Sequence, residues 1–236
     1  MLTLEGLVIR QDGFELKADF SVPTGARVAV IGASGEGKST LLNAIAGFIA
    51  TARGKVLWQG EEIGRLAPGK RPISMLFQDN NLFPHLTLAQ NVGLGIDPGL
   101  RLSPAQKVQA EVALAHVGLE GLGGRKPGQL SGGQQSRAAL ARALVQRKPL
   151  MLLDEPFAAL GPALKAEMLD LVAKLAAETG ATVLMVSHDP GDAERFAEAA
   201  ILVTGGRAEA PVPVIELLAN PPKALRDYLG VNGTER

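Results

Sequence analysis

The run Gly32-Ala33-Ser34-Gly35-Glu36-Gly37-Lys38-Ser39, followed by Thr40, carries the strongest chemical signal in the chain. Its glycines let backbone N–H groups close around phosphate oxygens. It lies between a stretch that predicts a strand, Arg27–Ile31, and one that predicts a helix, Lys38–Ala46, which is the context the P-loop pattern requires. A helix start adds positive potential for an anion. In that pattern Lys38 reaches the β- and γ-phosphates of a nucleoside triphosphate, and the Ser39 hydroxyl ligates Mg²⁺. A Gly-rich turn without a ligand is the plain alternative.

Two further segments could address the same phosphates. Leu150-Met151-Leu152-Leu153 predicts a short buried strand, and Asp154 and Glu155 follow it directly. A strand ending in two carboxylates places them at the carboxyl edge of a sheet, beside a P-loop. There Asp154 holds Mg²⁺, directly or through water, and Glu155 polarises an attacking water as general base. The alternative is a carboxylate pair capping the next helix. Leu130-Ser131-Gly132-Gly133-Gln134 opens an Ala/Leu/Arg-rich helix. A serine and two glycines at a helix start form a second anion-binding geometry, or simply a cap.

The elements that must position these residues alternate in kind. Leu2–Val8 and Phe14–Val22 predict strands, with a turn at Asp12-Gly13. Lys55–Trp58 and Ile73–Phe77 predict strands as well. Between about Pro84 and Pro149, Gly and Pro punctuate helical stretches, including Pro104–Val117 and Gln134–Gln146. Then Leu150–Leu153, Ala181–Ser187 and Ala200–Thr204 predict strands, with a helix over Ala163–Glu178. Short buried strands alternating with helices imply a parallel sheet with both faces covered.

The 236 residues suit one globular domain with an inserted part, and 46% hydrophobic residues supply a sizeable core. Aromatics are only 4%, so aliphatic side chains must fill it. Net charge is zero and no dense Lys/Arg run occurs, which argues against a nucleic-acid partner held by a basic surface. The chain has no cysteine, hence no disulfide framework and no thiolate metal site. The N-terminal stretch lacks the apolar core of a signal peptide, and no apolar run approaches a membrane span. The expectation is a soluble protein whose membrane role, if it has one, goes through a partner.

A P-loop, then LSGGQ, then a strand ending in Asp-Glu-Pro is an order that resembles the nucleotide-binding subunits of ABC transporters. The resemblance covers nearly the whole chain. It implies an α/β fold: a P-loop NTPase (RecA-like) core with an N-terminal antiparallel β-subdomain and an inserted α-helical subdomain. The core would be residues 1–83 and 150–236, and the helical insertion residues 84–149, carrying the signature motif. Phe77-Gln78 resembles the family's Q-loop, so Gln78 would touch Mg²⁺ or the water. Ser187-His188-Asp189 resembles the switch-histidine loop, so His188 would contact the γ-phosphate. A lone histidine after a strand is usually structural, but the matching order of five motifs reverses that prior.

The resemblance also implies a mechanism. Two copies pack head to tail, and ATP lies between the P-loop of one and Ser131, Gly132, Gly133 and Gln134 of the other. ATP closes the dimer on the cytoplasmic face of the membrane, where transmembrane permease subunits are the partners and a periplasmic binding protein acts indirectly. The stretches Arg71–Phe83 and Asn91–Leu100 resemble the ATPases of bacterial thiamine importers. A polyamine or metal-ion importer remains the alternative within the family, although the chain ends soon after the core, with no room for the C-terminal regulatory domain many of those carry. A soluble ABC ATPase acting on nucleic acid or ribosomes is the alternative from another class. A P-loop kinase would leave LSGGQ and His188 unexplained. Three departures stand out: Gly161 replaces the usual aspartate of the D-loop, Gln11 takes the place of an adenine-stacking aromatic, and Gln135 replaces the arginine after LSGGQ.

Overall fold

The computed structural model describes residues 1–11, 13–79 and 81–229, so Asp12 of the expected turn and Asn80 after the Q-loop lie outside the described residues. Strands β1 (Leu2–Gln11) and β2 (Phe14–Val22) pair antiparallel. Strand β3 (Arg27–Ile31) leads through the P-loop into helix α1 (Lys38–Ala46). Strands β4 (Thr51–Trp58) and β5 (Glu61–Glu62) add to the free side of β1. Strand β6 (Ile73–Leu76) is followed by helices α2 (Leu88–Gly93), α3 (Pro104–His116) and α4 (Gly132–Leu144). The chain then alternates through β7 (Leu150–Asp154), α5 (Pro162–Thr179), β8 (Thr182–Val186), α6 (Pro190–Phe196) and β9 (Ala199–Thr204). It finishes with β10 (Arg207–Ala208), β11 (Val212–Pro213), α7 (Val214–Ala219) and α8 (Lys223–Leu229).

The strands form one curled sheet in the order β5-β4-β1-β2-β10-β9-β3-β8-β7-β6. From β9 to β6 neighbours run parallel, and from β5 to β2 they run antiparallel. Alternation along each parallel strand assigns its side chains to two faces. Leu150 and Leu152 of β7, with Leu184 and Val186 of β8, join one cluster with α1 and the β1–β2 pair. Met151, Leu153, Val183 and Met185 point the other way, into a cluster with α2 to α5. A third cluster joins Ala29 and Ile31 of β3 to Ala193, Leu217 and Leu225 of the C-terminal helices. Burial on both faces explains why these strands read as short continuous apolar runs.

Arg71 holds the start of β6 to the end of α1. Its buried guanidinium donates to the carbonyls of Ala44 (3.0 Å), Ile45 (2.6 Å), Gly64 (2.7 Å) and Leu66 (3.0 Å). The first two belong to the last turn of α1, whose carbonyls have no partner within the helix and whose negative end favours a cation. Arg71→Ala leaves four carbonyls without this donor and should destabilise the protein by about 3 kcal/mol or more, as for other losses of a charged hydrogen-bonding partner in an interior. Urea unfolding measures this; a midpoint equal to that of the wild type would refute it.

Candidate nucleotide-binding site

Strand β3 runs between β9 and β8 in the middle of the parallel region, and its carboxyl end delivers Gly32 to the sheet edge. Gly32 has φ +149°, and a Cβ there would stand 2.1 Å from the carbonyl oxygen of Val203, so the neighbouring strand permits only glycine. Gly37 has φ +96° and caps α1. A Cβ on Gly37 would stand 2.7 Å from the Phe14 ring, which therefore lies directly against the loop. Having no side chain, Gly37 leaves the N–H groups of the first turn of α1 for an anion. Glu36 ties the loop to the turn after β9: its carboxylate accepts from Gly205 N at 2.7 Å.

Lys38, 5% exposed, folds back across the loop and donates to the carbonyls of Gly32 (2.9 Å) and Ala33 (2.8 Å). Burial lowers its pKa, and the negative charges of Glu155, Asp154 and Glu36 oppose that shift. Ser39 donates its hydroxyl to Asp154 Oδ1 at 2.9 Å. Burial raises the pKa of Asp154 and the charge of Glu155 adds to the rise, while the Ser39 hydrogen bond and the Lys38 charge work against it. A hydroxyl and a carboxylate oxygen in contact at the phosphate end of a P-loop are the hard oxygen donors that suit Mg²⁺, which commonly takes one or two protein groups and completes its shell with phosphates and water.

Asp154 ends β7, and Glu155 follows in the left-handed region at φ +45°. For a residue with a side chain this backbone costs of order 1–3 kcal/mol. It turns the Glu155 carboxylate toward the loop after β8, where Oε2 stands 3.5 Å from Nδ1 of His188. The flanks of His188 are pinned. Ser187 donates its hydroxyl to Asp192 at 2.5 Å and accepts from Asp189 N at 3.1 Å. Lys165 of α5 bridges Asp189 (3.0 Å) and Asp192 (2.7 Å). Gln78 lies exposed two residues beyond β6, whose register pairs Leu76 with Leu153, and so near the same edge.

The fold thus brings Gly32 to Ser39, Asp154, Glu155 and His188 to one end of the parallel strands, with Thr40 in the first turn of α1. The signature segment makes its contacts elsewhere. Ser131 caps α4, accepting from Gln134 N (3.3 Å) while the Gln134 side chain accepts from Ser131 N (3.1 Å). This reciprocal pair satisfies two helix-start donors and starts α4 at Gly132, two residues before the sequence-based start at Gln134. A Cβ on Gly133 would stand 2.3 Å from Leu164 Cδ2, so α4 backs onto α5, whereas one on Gly132 would meet no described atom within 4 Å. Gln135, in place of an arginine, donates to the carbonyls of Pro127 (3.1 Å) and Leu130 (3.4 Å) and braces the approach to Ser131.

Sequence reasoning singled out neither Lys165 nor Asp192. Their partners lie 24 and 5 residues away in the chain, and no local pattern marks them. Gln11, at the end of β1, is exposed, and Phe14 packs half-buried on the first core cluster as well as on Gly37.

Residues 16–158 match the ABC transporter family. The thiamine import ATP-binding protein ThiQ of Cereibacter sphaeroides is 65% identical over 230 residues, covering 98% of this chain and 100% of that protein. The ThiQ protein of Ruegeria sp. is 60% identical with the same coverage. Among solved structures, the dimeric post-hydrolysis state of the ATP-binding cassette MJ0796 bound to ADP and Pi superposes with a TM-score of 0.78 at 32% identity, covering 91% of this chain and 99% of that one. The chain therefore belongs to the ABC transporter family, and its curled α/β sheet is the P-loop ATPase fold of that family's ATP-binding cassettes.

Proposed function

We propose that this chain is the ATP-hydrolysing subunit of an importer for thiamine or its phosphates, in which two copies close on MgATP and work a membrane permease. The observation that carries the hydrolytic reading is the convergence of Lys38, the Ser39–Asp154 pair and the Glu155–His188 pair at one sheet edge. The P-loop N–H groups from Gly32 to Thr40 cradle the phosphates, and Lys38 exchanges its two carbonyl partners for phosphate oxygens. Ser39 and Asp154, with Gln78, would hold Mg²⁺, which would supply positive charge against the phosphates. Glu155 accepts a proton from the attacking water as the water oxygen bonds to the γ-phosphorus and the bond from that phosphorus to the bridging oxygen breaks, so that ADP and inorganic phosphate leave. His188, 3.5 Å from the Glu155 carboxylate, contacts the γ-phosphate beside it.

Ser131, Gly132, Gly133 and Gln134 of a second copy close the site in this reading. What supports it is the open space at Gly132 and the engagement of the same segment with α5 rather than its own P-loop. The helical insertion, residues 84–149, carries that segment and faces the permease through the turn after the Q-loop. Among the described residues no helix is long and apolar enough to cross a membrane. An importer's ATP-binding subunit works from the cytoplasmic face, held by its permease, and this reading takes that place for the chain.

Phe83 belongs to that turn, is 47% exposed and is held by the buried Asn91, which accepts from Phe83 N (2.7 Å) and donates to the carbonyls of Phe83, Leu86 and Thr87. Leu82 packs on the second cluster instead. Thiamine uptake into proteoliposomes containing the whole transporter tests the assignment. Wild-type chain should support ATP-dependent uptake of labelled thiamine, and Phe83→Ala should lose most uptake while keeping its hydrolysis. Uptake of a polyamine or a metal ion in place of thiamine would contradict the substrate, and uptake and hydrolysis falling in strict proportion would contradict the docking role of Phe83.

The base end of the nucleotide has little to hold it. The Gln11 amide is a poor flat surface for a base, and the Phe14 ring packs against Gly37 and the core. The chain should therefore bind ATP and GTP with similar affinity. Gln11→Tyr should tighten both, since an aromatic under a base contributes about 1–3 kcal/mol in nucleic-acid systems. Titration calorimetry reads both affinities; a strong preference for ATP that Phe14→Ala abolishes would make Phe14 the platform and overturn this reading.

A further inference from the structure

The C-terminal helix α8 reaches the loop that carries His188. Leu225 anchors it, fully buried in the third cluster with Ala29 and Ile31 of β3, the strand that feeds the P-loop. Three residues on, Tyr228 packs on the same cluster and donates its hydroxyl to the backbone carbonyl of His188. The side chains of Asp192 and Lys165 hold the flanking residues Ser187 and Asp189, so the tyrosine secures the residue between them. We propose that Tyr228 is a positioning residue for hydrolysis, fixing the carbonyl of His188 so that the imidazole stays directed at Glu155.

The proposal rests on the role given to His188 above. Its logic is that of a support for an active group: a loop side chain keeps a productive geometry only when its own backbone is held. Burial raises the pKa of the Tyr228 phenol first, and the negative charges of Glu155 and Asp189 raise it further. The hydroxyl therefore stays protonated and remains a donor, and the ring lies within the field of the general base itself. Because the tether comes from a helix about 40 residues further along the chain, the position of α8 and the geometry of the site are mechanically joined.

Tyr228→Phe keeps the ring and removes only the donor. In the 236-residue chain, kcat should fall about three- to tenfold, the rate equivalent of one hydrogen bond. KM for ATP should not change, and the thermal unfolding midpoint should fall by no more than a few degrees. A ring that merely packed would leave kcat untouched, so wild-type kcat in Tyr228→Phe overturns the proposal. The second arm repeats the substitution in a His188→Ala background, read by single-turnover hydrolysis. There it should have no further effect, because the residue it positions is gone. An equal loss in both backgrounds would show that Tyr228 acts elsewhere and would also overturn the proposal. If His188→Ala alone keeps wild-type turnover, the role of His188 fails and this proposal falls with it. If only Tyr228→Phe is silent, His188 keeps its role and the proposal falls alone.

Discussion

Glu155→Gln stops steady-state hydrolysis while the protein continues to bind MgATP. Glutamine matches glutamate in shape, so the side chain keeps its place after β7 and beside His188. What it loses is the ability to take a proton. Loss of general-base help typically costs about 10²–10⁴-fold in rate, which takes turnover to or below the background of most assays. Binding should survive because the proposed phosphate cradle is made of other groups: the P-loop backbone, Lys38 and the Ser39–Asp154 pair. Lys38 also keeps the favourable charges of Asp154 and Glu36 when that of Glu155 is removed. Phosphate release from labelled ATP, followed together with nucleotide occupancy, separates the two effects. Turnover within tenfold of wild type would mean that another group is the base.

Lys38→Ala fails earlier, at binding. The lysine is the buried cation of the loop and pins it through the carbonyls of Gly32 and Ala33. In the proposed site its removal leaves the γ-phosphate without a charged donor, and hydrogen bonds to charged groups are worth about 1.5–3 kcal/mol each. ATP affinity should therefore drop by roughly ten- to a hundredfold, with hydrolysis abolished. ADP, which lacks the γ-phosphate, should lose less than ATP. Calorimetric titration with both nucleotides checks the difference, and near-normal turnover in Lys38→Ala would refute the P-loop reading.

The parts of this molecule that were legible in the sequence are those with a local cause. The bounds of β2, β3 and α1 coincide with the sequence-based limits, because Gly13, Gly25, Gly32 and Gly47 punctuate them at positive φ. The parallel strands declared themselves by short buried runs. The short elements did not: β5, β10 and β11 are two residues each, and α2, α6, α7 and α8 are six or seven, too few for a helical period to register. Helix α6 still carries a start signal, Asp189 as cap and Pro190 at its first position, which a closer reading of Asp-Pro could use.

The site divides in the same way. Motifs within a few residues, such as the P-loop or Asp154-Glu155, identify themselves, but long-range supports do not. Lys165 reads as an ordinary helix-surface lysine, and Tyr228 as an isolated aromatic near the end of the chain. Only the fold brings Lys165 to Asp189 and Asp192, and Tyr228 to the carbonyl of His188. The Gly161 departure has a partial structural context: Gly161 caps α5 without a side-chain bond, and one turn later Lys165 ties that helix to the switch loop.

If ATP is held between two copies of this chain, the molar mass of Glu155→Gln in saturating MgATP reports it. Light scattering coupled to gel filtration, with bound nucleotide counted in the same peak, should give twice the single-chain mass with one ATP per chain. Removing Mg²⁺ and ATP should return it to the single-chain mass. A species of single-chain mass with one ATP bound to it would contradict the shared site.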